Sequence, residues 1–314
     1  ITYEYDINSA YPYIISRLPC LEHGTWNRGD GIPEKCGPSD LVLVKAEVHG
    51  FDERPTHIGA MLHRDKKGRI SRPIHTAGWY WKHELDAAIR AQCISTVSIS
   101  EWASYTPCQC EPPLKDVSSL YDLRLRVGKD TPLGKGCKLG YNSMYGKFAQ
   151  SIGDHVFGNA VYASLITAGC RTMILDAIAT HPQGKAGVVM IATDGVYFRS
   201  AHPGLVLSDR LGEWSVSEKL DLCVFKPGVY WDERVRVKIR EGEENPRFKA
   251  RGINVRDFVK HIEGIDAEFR GWGERPPAVV NVVGVDEWPQ VEYRGSFAMT
   301  TCLQALRRDD WDSA

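Results

Sequence analysis

The feature that most constrains the fold of this chain is the stretch VVMIATDGVYF, Val188 to Phe198. It carries one carboxylate, Asp194, in the middle of an almost wholly apolar run. Two apolar segments separated by Thr-Asp-Gly predict a β-hairpin with Asp194 at its tip. Because an unpaired buried charge is costly, Asp194 should meet a cation, hydrogen-bond donors or a bound metal. The run therefore predicts a hairpin that aims a carboxylate at a partner.

The composition is that of an ordinary globular protein. The chain has 314 residues, 43% hydrophobic and 25% charged, and this length allows more than one domain. No apolar run is interpreted as a membrane span, and the start lacks a signal-peptide pattern, so we expect no membrane partner and a cytoplasmic location. The nine cysteines follow no regular framework, which indicates a reducing compartment. Cys108 and Cys110 form a C-x-C pair, but no second pair or suitably spaced histidine follows, so the spacing does not favour a zinc site.

The order of predicted elements indicates an α+β fold. Strands and helices are mixed without a regular βαβ rhythm, and no internal repeat is present. The predicted strands include residues 2–7 and 41–50. The predicted helices include two at roughly 114–127 and 135–149, joined by GKDTP, and a longer amphipathic helix at 160–181. The last sixty or so residues are expected to form a small mixed unit.

Asp6 is a second carboxylate of interest, because it ends a predicted strand just before a helix start. Asn8 or Ser9 can cap that helix, and Pro12 suits its first turn. Backbone N–H groups at a helix start suit phosphate oxygens, and an aspartate beside them would hold a bridging cation. The plain alternative is that Asp6 only caps the helix.

The segment from Lys115 to Lys147 is basic, although the whole chain has a formal net charge of −1. Within it, Lys138, Asn142 and Tyr145 fall at i, i+4 and i+7 and share one helical face, which Arg124 on the preceding helix could oppose. A solvated helical face is the alternative interpretation of such a charge run. Two carboxylates with a cationic face are what phosphoryl transfer from a triphosphate requires.

Three motifs carry a resemblance to a known family. The segments DINSAYP (6–12), KLGYNSMYGKF (138–148) and ATDGVYF (192–198) resemble motifs A, B and C of family B DNA polymerases, in the same order. LITAGCR (165–171) resembles a template-contact motif of the protein-primed branch. RFKARGIN (247–254) resembles the entry to the thumb.

The resemblance implies a set of metal and nucleotide ligands. Two catalytic Mg²⁺ ions, for which Mn²⁺ is an alternative, would be bound at Asp6, Ile7 and Asp194. The amides of Ser9 and Ala10 would cradle the triphosphate, and Tyr11 would stack under the sugar and exclude a 2′-hydroxyl. Lys138 and Arg124 would hold phosphates, while Asn142 and Tyr145 would shape the nascent base pair.

The resemblance also implies DNA contacts, partners and a layout. The residues expected to bind DNA are Gly146, Lys147, Thr167, Arg171, Tyr230 and Lys249. Primer-template DNA and dNTPs are the implied partners, with a terminal protein as a further candidate primer. The implied domains are palm (1–19), an insertion resembling a terminal-protein-handling region (20–112), fingers (113–150), palm again (151–245) and thumb (246–314). A plain elaboration of the palm surface is the alternative for 20–112.

Some positions depart from the family pattern. Motif C usually reads Asp-Thr-Asp-Ser, but here Ala192 and Gly195 flank the retained Thr193-Asp194. Ala10 replaces a usual leucine, and Gly228 stands where a lysine is usual. The family's proofreading exonuclease precedes motif A, so we expect none in this chain.

The sequence therefore predicts a phage- or mobile-element-encoded DNA polymerase that acts in the host cell. It would extend a primer 3′ end by two-metal catalysis. Two alternatives stay open at this point. One is a non-catalytic DNA-binding relative with a degraded motif C, and the other is an RNA-templated or ribonucleotide-using polymerase.

Overall fold

The structure is a computed structural model of the chain. It describes residues 1–33, 36–51, 61, 63–64, 70–71, 73–150, 156–226, 228–250, 255–270 and 278–279. Predictions on residues 251–254 of RFKARGIN, and on most of the last sixty residues, lie outside the described residues.

The described strands and helices confirm a mixed fold built mainly from antiparallel sheets. The strands are β1 (Thr2–Ile7), β2 (Thr25–Asp30), β3 (Leu41–Gly50), β4 (His63–Arg64), β5 (Ile70–Ser71), β6 (His75–Trp81), β7 (Ile94–Thr106), β8 (Val188–Ala192), β9 (Gly195–Phe198), β10 (Trp214–Lys219), β11 (Cys223–Lys226), β12 (Val229–Trp231), β13 (Lys249–Ala250) and β14 (Ala278–Val279). The helices are α1 (Ala10–Ile15), α2 (Lys82–Arg90), α3 (Val117–Val127), α4 (Pro132–Phe148), α5 (Ala160–Thr180), α6 (Glu233–Arg240), α7 (Val255–Val259) and α8 (Ile262–Arg270).

The main sheet has the strand order β10-β1-β9-β8-β14. Strand β1 pairs antiparallel with both β9 and β10, and only β14 runs parallel to its neighbour. Successive side chains of a strand point to opposite faces. In β1, Tyr5 and Ile7 are buried in the core, whereas Asp6 between them faces the other side of the sheet.

Residues 20–112 contain a second sheet of order β2-β7-β3-β6, with α2 packed against it. The predicted strand at 41–50 is confirmed as β3. Its side chains alternate as a half-buried strand requires, because Val42, Val44, Ala46 and Val48 are buried and the residues between them are more exposed.

The two helices predicted before residue 150 are confirmed as α3 and α4, which pack against each other. Thr131 caps α4 by accepting a hydrogen bond from the Gly134 N–H at 3.0 Å, and Pro132 occupies the first helical position. A short turn and a strong cap therefore fix this helical pair.

The prediction that α5 is amphipathic is wrong. Its buried residues lie all around the helix, and it packs against α1, α2 and α4 as a core helix. Its length and apolar composition are also those of a membrane-spanning helix, but helices buried in a protein core share both properties.

A separate hydrophobic cluster is shared by β11, β12, α6, α7 and α8. Phe225 and Trp231 pack there with Phe258 and Ile265, so β11, β12, α7 and α8 enclose one small core. The predicted boundary at 245/246 therefore runs through a single cluster.

Candidate active site

The main sheet brings Asp6 and Asp194 together although they are far apart in the sequence. Asp6, near the end of β1, is in register with Gly195 at the start of β9, and the Ile7 N–H donates to the Asp194 carbonyl oxygen at 3.1 Å. Strands β8 and β9 form the predicted hairpin with Thr193 and Asp194 at its tip. The pairing of β1 with β9 therefore creates a two-carboxylate site.

Gly195 leaves room for the Asp6 carboxylate. A Cβ atom at position 195 would lie 3.2 Å from Asp6 Oδ1, which is tighter than ordinary side-chain contacts. A side chain at this position would require the Asp6 carboxylate to shift by a few tenths of an ångström.

Two residues beside the carboxylates adopt left-handed backbone conformations. Ser9 has φ 52° and Thr193 has φ 58°. Such angles are unfavourable for residues other than glycine, and most of all for a β-branched residue, and they cluster at functional sites. Ser9 occupies the N-cap position of α1 as predicted, but its side chain makes no capping bond, while Asn8 donates to the Ser208 carbonyl oxygen at 2.6 Å.

Both carboxylates are harder to ionise than an ordinary aspartate, because the pKa of each is raised. Partial burial raises the pKa of Asp6 to about 6, and the neighbouring charges of Asp194 and Glu4 add to the rise. Burial also raises the pKa of Asp194. Lys249 and Lys138 oppose both shifts without cancelling them. The pair therefore lacks enough positive charge around it.

A cleft of about 490 Å³ opens over the carboxylates. All of the residues predicted to bind metal or nucleotide line it: Asp6, Ile7, Ser9, Ala10, Tyr11, Arg124, Lys138, Asn142, Tyr145 and Asp194. Ile7 as a whole residue is buried, and its backbone N–H is already used in the hydrogen bond to Asp194. The cleft lies between the carboxyl end of β1, the start of α1 and the helices α3 and α4.

The helical wall of the cleft is cationic. Lys138 projects from α4 and is exposed, whereas the Nε of Arg124 on α3 is buried and has no hydrogen-bond partner within the described part of the chain. A buried donor without a partner calls for an explanation, and an anionic ligand in the cleft would supply one. Lys129 also lines the cleft, but its Nζ binds Asp209 Oδ1 at 2.9 Å.

Tyr11 and Tyr145 meet inside the cleft. Their ring centroids are 4.9 Å apart in an edge-to-face arrangement. Burial raises the pKa of Tyr11 to about 12, so its hydroxyl stays protonated at neutral pH. The aromatic pair forms a fixed wall between α1 and α4.

Tyr230 and Lys249 lie together at a neighbouring cavity. They are directly paired across β12 and β13 and line a second space of about 320 Å³ together with Glu4. The Tyr230 ring is buried, and its hydroxyl lies 2.9 Å from that of Tyr197. Tyr230 therefore connects this cavity to the hairpin that carries Asp194.

The other predicted DNA-binding residues lie outside the cleft. Gly146 and Lys147 are exposed near the end of α4, and Thr167 donates to carbonyl oxygens of its own helix. Arg171 forms a two-point ion pair with the buried Glu84, with Nη2 to Oε2 at 2.9 Å. This pair gives Arg171 a structural partner, and its predicted template contact stays a prediction.

Sequence reasoning missed several residues of the cleft. Asn8, Pro12, Tyr121, Lys129 and Thr193 also line it. Tyr121 precedes Arg124 by three residues on α3, so helical spacing could have revealed it. Lys129 follows α3 in a turn, and its position depended on tertiary structure.

The site fits divalent metal ions. Two carboxylates with raised pKa values lie side by side with too little positive charge around them, and oxygen ligands are those that Mg²⁺ prefers. Ala192, where the family has a first aspartate, packs beside Met190, Tyr197 and Tyr230 and offers no ligand atom on its side chain.

One protein to which the chain is similar is a viral DNA polymerase. The chain is 28% identical over 270 residues to a protein named DNA polymerase from Acidianus bottle-shaped virus (isolate Italy/Pozzuoli). The match takes in 82% of this chain and 38% of the viral protein, so the chain spans well under half of that relative's length. No family model matches the chain.

Solved structures show a similar fold. Phi29 DNA polymerase in an orthorhombic crystal form matches 73% of this chain and 45% of its own, with a TM-score of 0.54 and 15% identity. Phi29 DNA polymerase complexed with primer-template DNA matches over the same shares, with a TM-score of 0.52 and 15% identity. This chain resembles DNA polymerases. The comparisons confirm the resemblance to DNA polymerases that the motifs predicted.

Proposed function

We propose that this chain is the catalytic part of a template-directed DNA polymerase that adds dNTPs to a primer 3′ end. The observation that carries the proposal is the cleft itself. It places two undercompensated carboxylates, Asp6 and Asp194, opposite the cations Arg124 and Lys138. A triphosphate with its metal ions complements both walls, because the metal ions would face the carboxylates and the phosphates would face the cations.

The proposed mechanism assigns each wall of the cleft one task. Asp6 and Asp194 hold two Mg²⁺ ions, with Mn²⁺ as the alternative, and a backbone atom of Ile7 completes the set. When bound, such ions lower the barrier to phosphoryl transfer by stabilising the attacking and leaving oxygens. Arg124 and Lys138 neutralise the negative charge that grows on the pyrophosphate.

The remaining cleft residues position the nucleotide. The backbone N–H groups of Ser9 and Ala10 lie at the start of α1, where donors have no partner within the helix, and they bind the triphosphate. Tyr11 packs under the sugar and leaves no room for a 2′-hydroxyl. Asn142 and Tyr145 on α4 contact the new base pair.

The proposed DNA path runs past the neighbouring cavity. Tyr230 and Lys249 hold the primer end there, since Lys249 is near enough to lower the pKa of both carboxylates. Gly146, Lys147, Thr167 and Arg171 complete the DNA contacts. In this layout, α3 and α4 are the fingers within 113–150, residues 1–19 and 151–245 form the palm, and 246–314 belong to the thumb. The thumb helices α7 and α8 then share one hydrophobic cluster with the palm strands β11 and β12.

Residues 20–112 are proposed to handle a terminal protein primer. The sheet that contains β2, β3, β6 and β7 is separate from the catalytic sheet and occupies the position in the chain where the protein-primed branch carries its insertion. A virus-encoded polymerase of this kind would act in the host cell.

A primer-extension assay tests the proposal. Purified chain, Mg²⁺ or Mn²⁺, a primed DNA template and dNTPs should yield extended product, while rNTPs or an RNA template should yield far less. DNA binding without extension under either metal would favour a non-catalytic relative. Faster extension with rNTPs, or on RNA, would favour the ribonucleotide-using or RNA-templated alternative.

A further inference from the structure

A cluster of cysteine and histidine side chains lies away from the cleft, next to the second sheet. Cys20, His23, Cys108 and Cys110 each present one ligand atom, and these four atoms lie within 4.8 Å of one another. The Nδ1 of His23 is 3.4 Å from Cys20 Sγ and 3.3 Å from Cys110 Sγ. The cluster unites a C-x-x-H pair with a C-x-C pair that is distant in the sequence.

The pairing of two strands brings these loops together. The C-x-x-H pair immediately precedes β2, and the C-x-C pair immediately follows β7. Thr25 at the start of β2 is in direct register with Thr106 at the end of β7. The sheet therefore fixes the distance between the two loops without help from the ligand side chains.

Tyr105 fixes the first loop further. Its hydroxyl donates to the Cys20 carbonyl oxygen at 2.6 Å and accepts from the Gly24 N–H at 2.8 Å. A Cβ atom at Gly24 would lie 2.3 Å from the Tyr105 ring, so the loop passes too close for any other residue. Tyr162 donates to the Pro19 carbonyl oxygen at 2.8 Å from the other side. The ligand positions are thus held by groups that bind no metal.

The two sulfur–nitrogen distances at His23 are close to those of a tetrahedral zinc site. Zn–S bonds of about 2.3 Å and Zn–N bonds of about 2.0–2.1 Å place neighbouring sulfur and nitrogen ligands about 3.6 Å apart. The two sulfur–nitrogen distances at His23 are slightly shorter than this. Thiol hydrogen bonds account for the arrangement less well, because one imidazole nitrogen accepts only one proton at a time.

We propose that Cys20, His23, Cys108 and Cys110 bind one structural Zn²⁺ ion. All four coordination positions come from the protein, which is typical of a structural zinc site and leaves no open position for chemistry. The ion would tie the segment that follows α1 to the end of β7, just before α3. It would thereby join the second sheet to α1 and α3, which both border the cleft.

The proposal differs from the sequence interpretation of Cys108 and Cys110. That interpretation disfavoured zinc because no second pair or suitably spaced histidine follows them in the sequence. Their proposed partners, Cys20 and His23, lie upstream and reach them only through the pairing of β2 with β7.

Metal analysis tests the proposal directly, and its result does not depend on polymerase activity. The full chain, purified under reducing conditions without a chelator, should carry about one zinc per chain. Cys20→Ser and Cys108→Ser should each lower the zinc content at least about fivefold, because a structural site with three ligands holds zinc poorly. Cys36→Ser is the matched control, since Cys36 is a partly buried free cysteine outside the cluster. This variant should keep the zinc content of the wild type.

A second measurement uses wild-type protein alone, so the proposal can be tested even if the variants fail to fold. Wild-type protein stripped of zinc should melt at a lower temperature and should regain its original melting temperature with one equivalent of Zn²⁺. Added Co²⁺ should give the intense visible bands of a tetrahedral thiolate complex. The proposal is overturned if reduced wild-type protein carries less than about a tenth of a zinc per chain and takes up no Co²⁺. A Cys20–Cys108 or Cys20–Cys110 disulfide in mass spectra of unreduced protein would overturn it as well.

Discussion

Two carboxylates on the same face of β1 behave in opposite ways. Burial disfavours ionisation of Glu4, but hydrogen bonds from Tyr197, Lys219 and Ser217 outweigh it and hold its pKa below the ordinary value. Asp6, two residues further on, has a raised pKa, and no side chain among the described residues donates a hydrogen bond to its carboxylate. One carboxylate is stabilised by the fold, and the other is left for a ligand to stabilise.

The same contrast appears between two cationic side chains. Arg171 is held by the buried Glu84 in a two-point ion pair, whereas Arg124 has a buried Nε without a partner in the described residues. Charges that the fold satisfies contribute to stability, and charges that it leaves unsatisfied mark the cleft. The following predictions test that division.

The largest expected effect is the loss of activity when a cleft carboxylate is neutralised. Asp6→Asn and Asp194→Asn should each reduce primer extension by about a thousandfold or more, because metal binding is lost. In EDTA, both variants should melt at or above the wild-type temperature, since the repulsion between the two carboxylates is relieved.

Glu4→Gln is the matched control for Asp6→Asn. It should destabilise the protein by about 1–2 kcal/mol, because hydrogen bonds to a charged acceptor are weakened, while extension under stabilising conditions stays far above that of Asp6→Asn. Comparable extension by wild type and Asp6→Asn would refute the two-carboxylate site.

Next in size is the effect of breaking the Arg171–Glu84 pair. Arg171→Ala leaves a buried carboxylate without its partner and should lower the free energy of unfolding by about 3–5 kcal/mol in urea titrations. The double variant Arg171→Met/Glu84→Leu should recover most of that stability, since it leaves no unpaired charge.

The double variant also tests the proposed DNA contact of Arg171. If Arg171 binds a template phosphate, the stable double variant should bind primer-template more weakly, with a salt slope smaller by about 0.9. An unchanged salt slope would leave Arg171 with a structural role alone.

Lys138→Ala should lower kcat/KM for dNTPs by about a hundredfold, because a cation that stabilises the leaving group is removed. Lys135→Ala on the same helix is the control, since Lys135 is exposed and does not line the cleft. The salt slope of DNA binding should stay at the wild-type value in both variants. Weaker DNA binding with normal dNTP kinetics in Lys138→Ala would show that Lys138 contacts DNA and not the triphosphate.

Tyr11→Val should raise ribonucleotide use relative to deoxynucleotide use by about tenfold, measured as a ratio of kcat/KM values. Tyr13→Val, two residues along α1, is the control because Tyr13 does not line the cleft. The same ratio in wild type and Tyr11→Val would exclude a steric gate at this position.

Much of the cleft could be predicted from the sequence because its residues lie in local motifs. Asp6 ends a strand before a helix, and Asp194 sits in a tight turn, so each was placed by short-range rules. The helical spacing of Lys138, Asn142 and Tyr145 likewise depends only on the geometry of α4. The resemblance to a known family then joined these three segments.

What the sequence could not show was which charges find partners. Glu4 and Asp6 are equivalent in the alternation of β1. Donors from neighbouring strands separate them, namely Tyr197 from β9 and Ser217 and Lys219 from β10. Arg171 looked available for DNA because Glu84 lies on α2, remote in the chain. Long-range pairing also hid the Cys20–His23 partner of the C-x-C pair.

The smallest expected effect is a pH dependence that has opposite signs for Asp6 and Glu4. Because the pKa of Asp6 is raised to about 6 in the folded state, its ionisation lowers the stability of the metal-free protein as pH rises through the window from about 4 to about 6. In EDTA, the advantage in melting temperature of Asp6→Asn over wild type should therefore be largest above about pH 6 and should shrink toward pH 4. The pKa of Glu4 is lowered, so its stabilising effect is present at neutral pH and is lost only under more acidic conditions. Metal ions compete with the Asp6 proton, so the Mg²⁺ concentration for half-maximal extension should rise by about tenfold for each pH unit below about 6. A melting difference between Asp6→Asn and wild type that does not change from pH 4 to pH 8 would show that Asp6 is stabilised within the fold, as Glu4 is, and would remove the contrast between them.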